Sequence, residues 1–225
     1  MIQIHVLTKL LESGIADMIR FTEFLDEEKK PALHVFDIDD TMFHTTAKVR
    51  VRNSNGKIVK YLSNSQFNDY KLKPGEKYDF KEFKSAKKFH DESHPIHKMI
   101  SKVKRIHGTV KKNPHSKVII NTARSDFDDK DKFLKTFKNQ GIDIEDIHVH
   151  RAGNIQKSNE SPSVAKTRII KDYIQKHGYK KVMMYDDSKT NLRALLAMKK
   201  EHPGVKFVAY HAQPDGSIKI FKDGD

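Results

Sequence analysis

Two short stretches place acids directly behind apolar runs. VFDIDDTMF (35 to 43) carries Asp37, Asp39 and Asp40 with Thr41, and KVMMYDD (181 to 187) ends in Asp186 and Asp187. If the two ends converge, their charges repel strongly unless a cation lies among them. A hard, oxygen-seeking ion such as Mg²⁺ resolves the conflict, since it takes one or two carboxylates and leaves positions for water and a substrate phosphate. One carboxylate can then attack phosphorus, which splits a hard displacement into two easier ones. Asp37, last on its apolar run and least free to move, is the expected nucleophile. Asp39, two residues on, points the same way in an extended chain and is the expected acid and base.

A transferred phosphoryl group spreads negative charge and needs a hydroxyl or amide donor and a fixed cation on its metal-free side. INTAR (120 to 124) offers Thr122 as the donor, flanked by Asn121 and Arg124. SPSVAKTRII offers Lys166 as the cation, with Lys157 on the preceding loop as the alternative. Thr41, Asn121 and Arg124 are expected at the substrate.

These residues meet only if the intervening elements bring them together. ALHVFDI (32 to 38) reads as a short buried strand, because it is apolar and ends abruptly in acids. After Pro95 the pattern predicts helices at 95 to 111, 129 to 139, 163 to 177 and 189 to 200. They alternate with strands at 117 to 123, 146 to 150, 181 to 187 and 205 to 211, and SIKIF (217 to 221) is a further edge strand. Such alternation predicts an α/β fold: a Rossmann-like parallel sheet with helices on both faces. Ligands of such sheets bind outside the carboxyl ends of the strands, where every residue named above would emerge.

Leu7, Leu10, Leu11, Ile15, Met18, Ile19 and Leu25 recur at helical spacing, so residues 1 to 30 are expected to form an amphipathic helix packed on a core spanning 31 to 225. Residues 44 to 94 interrupt the alternation. KVRVRNSNGKIVKYL (48 to 62) reads as a hairpin turning at Asn55-Gly56, a pair suited to positive φ, and the rest as an irregular insertion with short helices.

DIDDT (37 to 41), INTAR, Lys166 and MYDDSKTN (184 to 191) resemble, in order, the four motifs of the haloacid dehalogenase superfamily of phosphohydrolases. The resemblance covers roughly residues 32 to 211 by motif and element order. It implies an aspartyl-phosphate mechanism with Asp37 as nucleophile, Asp39 as acid and base, and Thr122 and Lys166 on the phosphoryl oxygens. It also implies Mg²⁺ held by Asp37, the main-chain carbonyl of Asp39 and an acid of the last motif. Asp187 is the first choice for that acid because Asn191 follows at the family's spacing, with Asp186 as ligand or support. Phosphatases of the family keep Asp where Asp39 stands and the dehalogenases lack it, so phosphate chemistry is implied. Asp40 stands where the family often has Gly and is expected to be structural. The insertion at 44 to 94 looks like a small cap or flap. Arg124 directly after the second motif is similar to polynucleotide phosphatases and to small phage and bacterial members linked to nucleic-acid end repair.

The chain has 225 residues, enough for one sizeable domain with an insertion. Its 43 Lys and Arg against 30 Asp and Glu give a formal charge of +13, which favours phosphorylated or polyanionic partners. With the resemblance, that points to a nucleotide or a phosphorylated nucleic-acid end. A catalytically weak scaffold that binds nucleic acid is the competing reading. Absence of cysteine excludes disulfides, thiol catalysis and cysteine-based zinc sites. The first thirty residues contain no continuous apolar core for a signal peptide, and no stretch is apolar enough to span a bilayer, so a cytoplasmic protein is expected.

Two clusters stand apart from the motifs. His90, His94 and His97 could form a second metal site, although Pro95 breaks their helical face. Phe67, Tyr70, Phe80, Phe83 and Phe89 are interleaved with lysines, and this pattern reads either as a base-stacking surface or as the insertion's own core. His148 and His150 alternate on a strand and read as packing residues.

Overall fold

The computed structural model describes residues 31 to 155, 157, 160 to 222 and 224, without the side chains of Ser65, Asn68 and Asp69. The helix expected in residues 1 to 30 lies outside the described residues. The fold is α/β, built on a mixed, mostly parallel six-stranded sheet of order β11-β10-β9-β1-β7-β8. Its strands are β1 (Ala32–Phe36), β7 (Lys117–Thr122), β8 (His148–Arg151), β9 (Lys181–Asp186), β10 (Lys206–Ala212) and β11 (Ile218–Phe221). All neighbours pair parallel except β11, which runs antiparallel to β10 and makes the sheet mixed.

From β1 the chain winds first to β7 and β8 on one side and then to β9 and β10 on the other. The carboxyl end of β1 is therefore the point where strand order reverses, the usual place for a ligand crevice. Phe36 is in register with Tyr185, and the Asp37 amide donates to the Tyr185 carbonyl at 3.0 Å. Phe36 and Tyr185 are thus level, and the residue that follows each is an acid, Asp37 and Asp186.

Alternation along the strands divides the core between two faces. Leu33, Val35, Ile119, Val182 and Met184 pack under α5 (Pro162–His177) and α6 (Lys189–Ala197). Phe36, Val118, Ile120, Met183 and Tyr185 pack against α3 (His97–Val110) and α4 (Lys130–Lys138). The regular helices fall close to their expected bounds. Gly178, with φ 66°, ends α5 in the left-handed region where glycine is unstrained. No helix among the described residues is long and apolar enough to cross a membrane.

The insertion is more ordered than its composition suggests. Its strands β3 (Val49–Arg52), β4 (Ile58–Leu62) and β5 (Lys77–Asp79) form an antiparallel sheet of order β4-β3-β5, and α1 (Asn64–Asp69) follows β4 with a capping box at Ser63. The hairpin turn differs from expectation. Only Gly56 has positive φ, and its amide donates to the Asn53 carbonyl at 2.9 Å. The Asn53 side chain accepts from the amides of Asn55 and Lys57, so it braces the loop and Asn55 need not adopt a left-handed conformation. Strand β5 escaped the sequence reading because Lys-Tyr-Asp is too short to show a period. Beyond it, α2 (Ala86–Glu92) leaves the small sheet and packs Phe89 beside Phe43, Phe133 and Phe137. Two-residue strands β2 (Phe43–His44) and β6 (His94–Pro95) pair at the insertion's root.

His34, on β1, has no partner for its Nδ1 among the described residues, and its ring stacks on Tyr185 at 6.4 Å. Burial, reinforced by Lys181, lowers its pKa to about 4. A depressed folded-state value means that His34 contributes stability above the ordinary value of 6.5 and loses it as pH falls toward 4. We expect wild type to lose about 1–3 kcal/mol more than His34→Leu between pH 7 and pH 4, read as urea midpoints. Parallel losses in the two proteins would clear His34 of the effect.

Candidate active site

Lys166 lies in the second turn of α5 with 1% of its surface exposed. Its Nζ donates to Asp37 Oδ1 at 2.6 Å and to Asp186 Oδ2 at 2.8 Å. The other Asp186 oxygen accepts from the Ser188 amide and from Asn191 Nδ2, each at 2.9 Å, which fixes that carboxylate from both ends. Asn121 reaches across to donate to the Lys166 carbonyl at 3.0 Å and sets the height of α5. One ligand atom from each of Asp37, Asp186 and Asp187 falls within 4.8 Å of the others.

The electrostatics follow from burial. Taking Asp37 out of water pushes its pKa up to about 7, with Lys166 pulling down and Asp186 and Asp39 pushing further up. Asp187 is held well above the carboxylate range by burial and then by Asp186 and Asp37. Burial alone would lower Lys166, but Asp186 and Asp37 outweigh it and hold the ammonium above its ordinary value. Three clustered acids, two of them on one lysine, remain short of positive charge, and an oxygen-only donor set of this kind fits a hard divalent cation.

The loop after β1 is shaped by Asp40, the sole non-glycine residue with positive φ (54°) among the described residues. That conformation lets the amides of Thr41, Met42 and Phe43 all turn back to the Ile38 carbonyl. Asp40 Oδ2 accepts from Asn64 Nδ2 at 3.0 Å, so its role is to bend the loop and tie it to α1. Thr41 Oγ1 accepts from the Asp187 amide at 3.1 Å and thereby couples the two acidic loops.

Asp39 turns toward Arg124. Its Oδ2 accepts from Arg124 Nε at 2.9 Å and its Oδ1 from the terminal guanidinium nitrogen at 2.6 Å, with Thr45 Oγ1 adding a bond at 2.8 Å. Arg124 also donates to the Phe83 carbonyl at 3.0 Å, and its guanidinium carbon lies 4.8, 4.9 and 5.6 Å from the ring centroids of Phe83, Phe89 and Phe127. Such an aromatic box suits a planar, weakly hydrated cation.

The three residues expected at the substrate are thus tied into the protein, Thr41 to Asp187, Asn121 to Lys166 and Arg124 to Asp39, although the buried Asn121 Oδ1 has no hydrogen-bond partner among the described residues. Thr122 is fully buried, and its hydroxyl oxygen accepts from the Arg124 amide at 3.2 Å. Lys166 meets the acids, whereas Lys157 is exposed.

A cleft of about 460 Å³ opens beside these groups, a size suited to a small organic ligand. Asp37, Asp39, Lys166 and Asp187 lie along one side, and Val49, Phe67, Tyr78, Phe80 and Phe83 from the insertion along the other. Of the five interleaved aromatics, Phe67, Phe80 and Phe83 therefore reach the cleft, while Tyr70 packs on the small sheet's core and Phe89 on the main one. Gly153, which the sequence reading missed, closes the floor. A Cβ there would lie 2.5 Å from the Ala123 carbonyl oxygen, so only glycine allows the loop after β8 to approach the loop after β7. A lone glycine in RAGN carries no signal of that contact.

His90, His94 and His97 do not gather as ligands among the described residues, and His90 Nδ1 lies 3.0 Å from Thr136 Oγ1. His148 and His150 both meet the Tyr173 hydroxyl, at 3.0 and 2.8 Å. No known family model matches this chain, and no curated protein does.

Lys166→Met removes the cation between two buried carboxylates, and we expect a loss of about 3–5 kcal/mol in EDTA, part of which Mg²⁺ restores. Thermal unfolding in EDTA and in Mg²⁺ measures both effects. A variant as stable as wild type in EDTA would show that the lysine does not hold the acids together.

Proposed function

We propose that this chain is a Mg²⁺-dependent phosphomonoester hydrolase of the haloacid dehalogenase type, acting on a nucleotide or a phosphorylated nucleic-acid end. The observation that carries the reading is the convergence of Asp37, Asp186 and Asp187 at the strand-order reversal, with the Lys166 ammonium between the first two and an open cleft beside them. A structural cluster of this kind has no need of an adjoining cavity. Perturbed acids in a cleft are a site signature.

Asp37 attacks phosphorus through a carboxylate oxygen. The bond to the leaving oxygen breaks, and Asp39 delivers a proton to that oxygen. Asp39 then takes a proton from water as the water attacks the aspartyl-phosphate, releasing inorganic phosphate and restoring Asp37. Burial favours protonated Asp37, and Lys166 opposes this by stabilising the attacking anion. Arg124 and Thr45 orient the Asp39 carboxylate at the cleft wall. Lys166, which lines the cleft, is the group assigned to the phosphoryl oxygens, whereas Thr122, expected there too, is fully buried and does not line the cleft. Asp37, Asp187, Asp186 and the Asp39 carbonyl would hold Mg²⁺, which when bound supplies charge neutralisation for the phosphoryl oxygens.

One observation favours the reading of a weakly catalytic nucleic-acid binder: Asp39 is occupied by Arg124 and Thr45. Phosphate release from an aryl phosphate decides between them. We expect turnover that EDTA abolishes and that Asp37→Asn reduces by about 1,000-fold or more. Turnover persisting in Asp37→Asn would remove the nucleophile, and oligonucleotide binding without release from any phosphoester would establish the binder.

A further inference from the structure

Phe80 belongs to the aromatic wall of the cleft yet leaves 40% of its surface exposed. Its ring is held by Phe67, Tyr78 and Phe83, at centroid distances of 5.5, 5.8 and 6.4 Å. A ring braced on several sides and open on another is a stacking platform with its orientation already set.

Directly after it, Lys81–Lys84 form a 3₁₀ turn. Residues three apart eclipse on such a turn, so Lys81 lies on the same side as Lys84, and Lys84 lines the cleft. Both lysines are exposed, and neither forms an ion pair among the described residues. The one acid of the turn, Glu82, is engaged by Arg50 and by the Lys48 amide. The lip of the cleft therefore presents two uncompensated cations beyond a fixed aromatic face. A free nucleotide has a base for the face but, past the reacting group, no further phosphate for the lysines.

We infer that the cleft takes the end of a single-stranded nucleic acid, with its terminal base on Phe80 and its following backbone phosphates against Lys84 and Lys81. The inference rests on the hydrolase reading for which group reacts, and not for the surface itself.

Fluorescence anisotropy in EDTA, with a labelled and terminally phosphorylated oligothymidylate as probe and thymidine monophosphate as competitor, tests the surface without turnover. We expect the oligonucleotide to bind at least about tenfold more tightly than the mononucleotide, and Phe80→Ala to weaken it by about tenfold. The slope of log affinity against log salt should become shallower by about 1.4 in the Lys81→Ala/Lys84→Ala variant, since each single-strand phosphate contact contributes about 0.7. Equal affinity for the two ligands, or a slope unchanged in the variant, would overturn the inference. Intact binding with no phosphate release sinks the hydrolase reading alone, and release with no preference for length sinks the strand-end inference alone.

Discussion

Lys166 is a cation wedged between carboxylates that belong to neighbouring strands, and the geometry of the centre follows from accommodating it. The two acids can share one ammonium because Asp37 and Asp186 directly follow the paired residues Phe36 and Tyr185 and so lie side by side. The ammonium reaches them only because α5 begins at the right height, where Asn121 holds its backbone. Desolvating three charged groups is costly, and a buried cluster of this kind persists only when each group finds several partners. Asp186 has them in Lys166, Ser188 and Asn191. Asp37 and Asp187 have fewer, so the unmet electrostatic demand of the cluster is concentrated on its two members that line the cleft.

A second ion pair, Arg124 with Asp39, does a different job. Its guanidinium is boxed by rings from both the insertion and the main core, and it also binds the Phe83 carbonyl. Arg124 thus joins three parts at once: the loop after β7, the acidic loop after β1 and the turn that carries the aromatic wall. Displacement of the small sheet would be felt at Asp39 through this side chain, with no intervening hinge.

The regular part of the fold was legible because its signals are local. Apolar runs ending in acids mark β1 and β9, and the later helices and strands alternate with clear periods. The acids and Lys166 were likewise readable, since strand-end placement in a parallel sheet makes their convergence a geometric consequence. What escaped was nonlocal or short. Nothing in TAR reveals that Arg124 turns toward an acid 85 residues earlier, and the close approach at Gly153 exists only in three dimensions. Strand β5 is three residues long. The aromatic series was ambiguous because a ring looks the same in sequence whether it fills a core, as Phe89 does, or walls a cleft, as Phe80 does.

The clasp at the root of the insertion has a wider consequence. Phe43 pairs with Pro95 and His44 with His94, and the Ile96 amide donates to the Met42 carbonyl, so the chain leaves the main body and rejoins it through adjacent residues. An excursion closed at its base can lengthen, shorten or be exchanged with little effect on the path of the remainder. Helix α2, which returns to the main core, sets the limit, and the replaceable cassette runs from about residue 45 to residue 84. Lys166 and the acids Asp37, Asp186 and Asp187 all lie in the flanking chain, so an exchanged segment would have to preserve only the contacts of Thr45 with Asp39, Asn64 with Asp40 and the Phe83 carbonyl with Arg124.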